Sequence, residues 1–302
     1  MQLLVVGSMN MDLVLETERY PVRGETVVGR AFSQVPGGKG ANQACAIGRL
    51  GGDVGFISVC GDDEYGNTLI NSLGKSGVDL SHIEKISETT GIALITVEET
   101  GENRIILIPG ANEKVTTSVI AAKEKQIKEA NIVLLQLEIP LDTVIYTIEM
   151  AKRYDTKVIL DPAPASKLPD EIYQNIDFIL PNEIEIENLV TNDIFSNTEE
   201  KAQKLLEMGV GNVILTRGEK GVTLYNRTTP KKFPAEEVEV VDTTAAGDAF
   251  VGGLAYSLNL NYCIEEAIRY ANVVAGLTVT GLGAQNSLPD IQEVKGYLER
   301  KK

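Results

Sequence analysis

Residues 131–160 read NIVLLQLEIPLDTVIYTIEMAKRYDTKVIL, and this stretch decides the fold. Asn131–Leu137 is an apolar run of buried-strand length, Leu141–Tyr154 carries apolar residues at helical spacing, and Lys157–Leu160 is a second apolar run. Strand, helix and strand in that order supply the length that a right-handed crossover between parallel strands needs. Similar runs recur at Leu3–Val6, Val54–Val59, Phe178–Leu180 and Val213–Thr216, with helical patterns between most of them. The expected architecture is α/β: a doubly wound, mainly parallel sheet flanked by helices, with all 302 residues in one domain.

Two regions leave this pattern. Leu13–Glu16 with Thr26–Gln34, and Ile92–Glu98 with Arg104–Ile108, read as strands without a helix between them, and the second pair turns at Glu99-Thr100-Gly101-Glu102. Strands inserted at about 13–34 and 92–108 predict a small projecting β-sheet lid beside a ligand cleft, with antiparallel edge strands of the main sheet as the alternative.

The composition, 43% hydrophobic and 24% charged, is that of an ordinary soluble protein. A net charge of -15 repels a polyphosphate backbone, so no nucleic-acid partner is expected. A single nucleotide answers to local N–H groups instead. Cys45, Cys60 and Cys263 are odd in number and widely spaced, which supports neither a disulfide framework nor a zinc site. No run approaches ~20 apolar residues, and Leu3–Gly7 is too short for a signal peptide. A cytoplasmic location without a membrane partner is expected.

Chemistry concentrates at 240–254, VVDTTAAGDAFVGGL, where a strand-like run ends at Asp242 and a helical pattern begins near Gly247. Ala245, Ala246 and Gly247 would then sit at a helix N-terminus, where free N–H groups and the helix dipole form an anion hole open to a phosphoryl group. Asp248, in the first turn, is the candidate catalytic base. The same residues also read as a helix cap beside a tight turn, and the short motif leaves both readings open.

With these residues in hand, the chain resembles the ribokinase-like carbohydrate kinases nearly end to end. The resemblance implies a central α/β domain with a β lid, a homodimer joined through the lids, and ATP-dependent phosphorylation of a sugar. D-ribose on its 5-hydroxyl is the first expectation, with deoxyribose, another pentose or fructose as alternatives. It assigns the anion hole to Ala245, Ala246 and Gly247 and the base to Asp248, which also meets the sugar. Gly37-Gly38-Lys39-Gly40-Ala41-Asn42 is similar to the family's sugar loop, with Gly38, Lys39 and Asn42 as binding residues. A nucleotide P-loop is the weaker reading, because Gly40 rather than Ser or Thr follows Lys39. Asn10 and Asp12 match sugar-hydroxyl ligands, and Glu138 matches a residue that reaches the sugar or the metal's water shell.

On the nucleotide side, Asn182 and Glu185 match an N-x-x-E element that shapes the Mg²⁺ and phosphate environment through water, although Asn182 also reads as a plain N-cap. Thr216 and Gly218 would lie beside the nucleotide phosphates and ribose, and Asn272 beside adenine. Asp242 and Thr244, with Thr278, Gly281, Gly283 and Ser287, would enclose a monovalent cation, K⁺. His82, in an apparent exposed connection, is given no role, and Glu236–Glu239 reads as the solvated face of a strand. A sugar or nucleotide sensor on the same fold would not need the Gly247-Asp248 pair. A Rossmann oxidoreductase would need a glycine fingerprint that Gly7-Ser8-Met9-Asn10 does not supply.

Overall fold

The computed structural model describes residues 2–190 and 197–301. The first part of the chain forms β1 (Leu3–Val6), β2 (Asn10–Thr17), β3 (Gly29–Gly37), α1 (Lys39–Arg49), β4 (Val54–Gly61), α2 (Glu64–Lys75), β5 (Ile83–Ile86), β6 (Gly91–Glu98) and β7 (Asn103–Ile108). After two short helices, α3 (Thr117–Ala121) and α4 (Glu124–Glu129), come β8 (Ile132–Leu135), α5 (Leu141–Arg153), β9 (Lys157–Leu160) and β10 (Phe178–Ile179). The remainder is α6 (Glu183–Leu189), α7 (Thr198–Glu207), β11 (Asn212–Thr216), β12 (Val222–Tyr225), β13 (Lys231–Phe233), α8 (Ala246–Asn259), α9 (Ile264–Thr278) and α10 (Ile291–Arg300).

Nine strands make one sheet in the order β13-β12-β11-β10-β9-β8-β1-β4-β5. All neighbours are parallel except at the β11-β12 and β12-β13 pairs. The double winding is visible in β1, whose alternate side chains enter different cores. Leu3 and Val5 join α1, α8 and α9 on one face, while Leu4 and Val6 join α5 and α7 on the other. No described helix is long and apolar enough to cross a membrane.

The second sheet, ordered β3-β2-β6-β7, stands apart as a lid. Its outer strand β7 is exposed along its whole length, Ile105 to Ile108 included.

Four local expectations are corrected. The second lid strand starts at Gly29 rather than Thr26 and continues to Gly37. The run into Asp242, Glu236–Glu239 included, is not a strand: β13 ends at Phe233, and the N–H groups of Val241 and Asp242 both donate to the Val279 carbonyl instead of to a sheet neighbour. The strand from Ile132 ends at Leu135, releasing Gln136 and Leu137 beyond the sheet edge. His82 is half-buried beside β5, near Ser81 and Asp79, rather than exposed.

Candidate active site

In sheet order β8 lies on one side of β1 and β4 on the other, so the winding reverses between β1 and β8. A crevice opens beyond the C-terminal ends of strands at such a reversal. Ser8 and Glu138 lie just past these two ends, and the Ser8 hydroxyl donates to Glu138 Oε2 at 2.5 Å. The same oxygen accepts the Lys39 backbone N–H at 3.1 Å. One carboxylate therefore ties the ends of both strands to the start of α1.

The lid contributes from its base. Asn10 opens β2, pairs with Gly37 and Gly91, and accepts from Asn112 Nδ2 through Oδ1 at 2.7 Å. Asp12 follows on the same face of β2. A Cβ placed on Gly37 would lie 2.2 Å from an Asp12 carboxylate oxygen, so only glycine leaves room for that side chain. Gly38 caps α1 at φ 88, and a Cβ there would stand 2.6 Å from the Asn10 amide nitrogen. The turn into α1 is thus pressed against the β1–β2 backbone as only glycine permits.

Helices α1 and α8 meet over the same point. A Cβ on Gly252 would come within 2.7 Å of the Ala46 Cβ, which marks how closely the helices approach. One turn earlier on α8, Asp248 is buried and its Oδ2 accepts from Asn42 Nδ2 at 2.9 Å. Its Oδ1 accepts from Gln43 Nε2 at 3.2 Å. Both oxygens are oriented, and each keeps a lone pair for a further donor.

Lys39 is the electrostatic centre. Burial works against its charge, but Asp161, Asp248, Glu138 and Glu185 outweigh it and hold the ammonium well above the usual lysine range. Asp12 is pushed up to about 7, first by burial and then by the charges of Glu138 and Asp248. Asp161 is also pushed up to about 7 by burial, with Lys39 opposing and Asp248, Glu185 and Glu138 adding to it. Burial raises Glu185 as well, against a backbone hydrogen bond from Asn182. Four carboxylates around one ammonium, with Asp12 beside Glu138 and Asp248, suit a polar, cationic or hydroxyl-rich guest better than an apolar one.

The loop before α8 is fixed by Asp242. Its Oδ1 accepts from the Thr244 N–H at 2.9 Å and from the Thr244 hydroxyl at 2.6 Å, and its Oδ2 accepts from the Gly283 N–H at 2.9 Å. Burial pulls its carboxyl up, but these three bonds together outweigh it and hold the group below the usual range. The Ser287 hydroxyl donates to the Gly283 carbonyl at 2.6 Å, and the Gly281 N–H to the Thr278 carbonyl at 3.2 Å. The six residues expected around a monovalent cation thus lie on two stretches, the loop before α8 and the end of α9 with the loop after it, joined by the Asp242–Gly283 bond, and their hydroxyl, carbonyl and carboxylate oxygens fit K⁺ chemistry.

Ala245, the N-cap of α8, adopts φ 60, a left-handed conformation that alanine rarely takes. The Ala246 N–H turns back to the Thr243 carbonyl at 3.2 Å. The N–H groups of Gly247 and Asp248 have no acceptor among the described residues, and a Cβ on Gly247 would meet nothing within 4 Å. The helix start is open to a ligand there, and Gly247 carries that opening more directly than Ala246.

On the other flank, Asn182 forms a full capping box. Its Oδ1 accepts from the N–H groups of Ile184 at 2.9 Å and Glu185 at 2.8 Å, while the Asn182 N–H donates to Glu185 Oε2 at 2.8 Å. The cap occupies the amide oxygen and leaves the amide N–H₂ and one Glu185 oxygen for a ligand. Thr216 bridges to Asn182, and the space over Gly218 is open. Asn272 stands apart on α9, where its Nδ2 donates to the Pro234 carbonyl at 3.0 Å beside a cleft of about 420 Å³. Among the described residues no three His, Cys, Asp or Glu side chains converge as a metal cage. Glu185 offers a carboxylate suited to a hydrated Mg²⁺, which keeps most of its water.

Ser8, Gln43, Asn112, Gln136 and Asp161 escaped the sequence reading. Asp161 immediately follows β9 as Glu138 closely follows β8, so a systematic look at residues just past strand ends finds it. Gln43 and Asn112 carry no such signal.

The comparisons with known proteins agree with this layout. The profile described as pfkB family carbohydrate kinase matches residues 1–291. A ribokinase of Lactococcus lactis is 40% identical over 296 residues, covering 98% of this chain and 96% of that protein. The crystal structure of a Thermotoga maritima ribokinase superposes with a TM-score of 0.91 at 42% identity, over 99% of both chains. An Arabidopsis thaliana ribokinase complexed with ribose and ATP also gives a TM-score of 0.91, at 33% identity over 99% of this chain and 98% of that one. The large sheet and the lid agree with these matches, and the chain belongs to the pfkB family of carbohydrate kinases.

Proposed function

We propose that this chain phosphorylates D-ribose on its 5-hydroxyl with ATP. The observation that carries the reading is Asp248, held by Asn42 in the first turn of α8 with unused N–H groups beside it. Ribokinases of 40% and 39% identity over nearly the whole chain support the substrate.

In this reading Asn10, Asp12, Gly38, Lys39, Asn42 and Glu138 hold the sugar. Asp12 in its ionised form accepts from two neighbouring hydroxyls. Asp248 takes the proton from the 5-hydroxyl as the sugar oxygen bonds to the terminal phosphorus of ATP and the bond from that phosphorus to the bridging oxygen breaks, releasing ADP. The backbone of Ala245, Ala246 and Gly247 faces the moving phosphoryl group, and the α8 dipole adds positive potential there. Asn182, Thr216, Gly218 and Asn272 position the nucleotide. Mg²⁺ accompanying ATP supplies charge neutralisation at the phosphates, and Glu185 would hold it through water. Asp242, Thr244, Thr278, Gly281, Gly283 and Ser287 would hold K⁺, stiffening the loop that carries the anion hole.

The chain acts as one domain with the lid strands inserted in it. Two chains pair through their lids, for which the apolar and fully exposed β7 is the support. Three unpaired cysteines suit the reducing cytoplasm.

A coupled assay across ribose, deoxyribose, fructose and a nucleoside tests the substrate, with ribose expected to lead in kcat/KM by at least about tenfold. Equal use of fructose or a nucleoside would remove ribose from the reading. Asp248→Asn is expected to lower kcat by about a thousandfold or more while calorimetry still detects ribose binding. Turnover near that of the parent in this variant refutes the base assignment.

A further inference from the structure

Asp248 is not the only carboxylate tied to α1. Gln43, the neighbour of Asn42, is fully buried, and its Nε2 donates to Asp161 Oδ2 at 2.9 Å as well as to Asp248 Oδ1 at 3.2 Å. A primary amide nitrogen carries two hydrogens, one for each carboxylate. The amide oxygen accepts from Gln136 Nε2 at 2.5 Å, and Gln136 is fully buried too. All donors and the acceptor of this side chain are therefore engaged with fixed partners away from water. Turning the amide over would set its oxygen against two carboxylate oxygens. That arrangement forfeits both carboxylate hydrogen bonds in a dry site, where an unmet polar group is most costly. The orientation of Gln43 is thus determined by its two carboxylate partners.

Its position is determined as well. The close approach of α1 and α8 at Gly252 brings Gln43 within reach of Asp248. Asp161 leaves the end of β9, and Gln136 leaves the end of β8. The space that the Gln136 side chain fills exists because residue 7 is glycine, since a Cβ there would lie 2.0 Å from Gln136 Oε1.

We propose that Gln43 is a positioning residue for phosphoryl transfer: its amide, locked between Asp161 and Gln136, holds the Asp248 carboxylate in the orientation from which it takes the sugar proton. The proposal rests on Asp248 being the base. Asn42 fixes one carboxylate oxygen and Gln43 the other, so the plane of the carboxylate is set by two adjacent residues of α1. A carboxylate free to rotate would present its lone pair to the 5-hydroxyl in only part of its orientations, and the loss would fall on kcat.

The test compares the parent with Gln43→Met, which keeps volume and length but has no amide, and with Asp161→Leu, Asp161→Asn and the Gln43→Met/Asp161→Leu double variant. Initial rates of ADP release give kcat and both KM values, and thermal unfolding reports the folded state. Gln43→Met is expected to lower kcat by about a hundredfold while the ribose and ATP KM values stay within about threefold. Asp161→Leu should lower kcat similarly, Asp161→Asn should recover at least about tenfold of that loss because it keeps an oxygen acceptor, and the double variant should be no slower than the slower single one.

A Gln43→Met enzyme within about threefold of the parent kcat overturns the proposal, as does a double variant in which the two losses multiply. If Gln43→Met does not fold, Gln43→Glu keeps the shape but donates to neither carboxylate when ionised and to at most one when protonated, and parent-like kcat there overturns the proposal equally. Asp248→Asn run in parallel separates the failures. An active Asp248→Asn enzyme refutes the base reading itself, whereas an inactive one beside a normal Gln43→Met refutes only the positioning role.

Discussion

The Asp242 carboxylate and the Gly283 amide, 41 residues apart in sequence, meet at 2.9 Å and join the loop before α8 to the loop after α9. The other Asp242 oxygen holds Thr244 by two bonds, so one side chain sets the path of the chain into Ala245.

Asp242→Ala removes all three of these bonds and the only carboxylate among the expected cation ligands. Turnover should fall by about tenfold or more. Stimulation by potassium chloride over choline chloride should vanish in the variant while the parent retains it. A variant that is still stimulated to the parent's extent would place the cation elsewhere.

Gly37→Ala puts a methyl group where the Asp12 carboxylate now lies, at 2.2 Å. Asp12 must rotate or β3 must shift, and either displaces a sugar ligand but no nucleotide ligand. The ribose KM should rise by at least about tenfold with the ATP KM within about twofold of the parent. Parallel changes in both constants would point to general damage instead.

Asp12 and Asp161 both have carboxyls raised to about 7, from an ordinary value of 3.8. The folded chain therefore keeps protons that the unfolded chain has already released. Stability is greatest at low pH with respect to these groups and is lost as pH climbs from about 4 through about 7. Asp12→Asn cannot ionise and removes part of this slope. Between about pH 5 and about pH 8 the parent's melting temperature, without ligands, should drop by a few degrees relative to the variant. A difference that does not change with pH contradicts the burial of that charge.

Gly247→Ala separates function from folding, because the added methyl meets nothing within 4 Å. Helix propensity favours alanine, so stability should hold or rise by up to about 1 kcal/mol. The methyl nevertheless crowds the open N–H groups, and kcat should fall by about tenfold or more. Melting curves and rates on the same preparation decide the matter.

The parallel sheet was legible in the sequence because its strands are short apolar runs and its crossover helices are strongly periodic. β12 and β13 were not. Val222–Tyr225 follows β11 across a short turn at Gly218–Lys220 rather than an α-helix, outside the strand–helix alternation, and Lys231–Phe233 contains a single apolar side chain. The apolar alternation before Asp242 looked like a strand, yet among the described residues no strand lies beside it, and its last N–H groups donate to the Val279 carbonyl. In the site, Asp12, Lys39, Asn42, Glu138 and Asp248 could be picked out from motifs and from the family resemblance, and they lie together around one crevice. Gln43 and Asp161 could not be paired from sequence, since 118 positions separate them and only the stacking of α1 over the sheet edge brings them to 2.9 Å. Asn182 carried two readings, and the capping box realises the structural one while leaving half of each polar group free.

Asn10 and Asp12 belong to the lid sheet, not to the body on which Glu138 and Asp248 ride. The small sheet therefore cannot tilt without carrying part of the proposed sugar cradle with it. Opening it dismantles the cradle, and a sugar gripped from both sides pins the sheet at one angle. Cleft occupancy and lid posture become a single degree of freedom, so a fluorophore at Phe32 on the outer face of the lid would report sugar capture far from the chemistry.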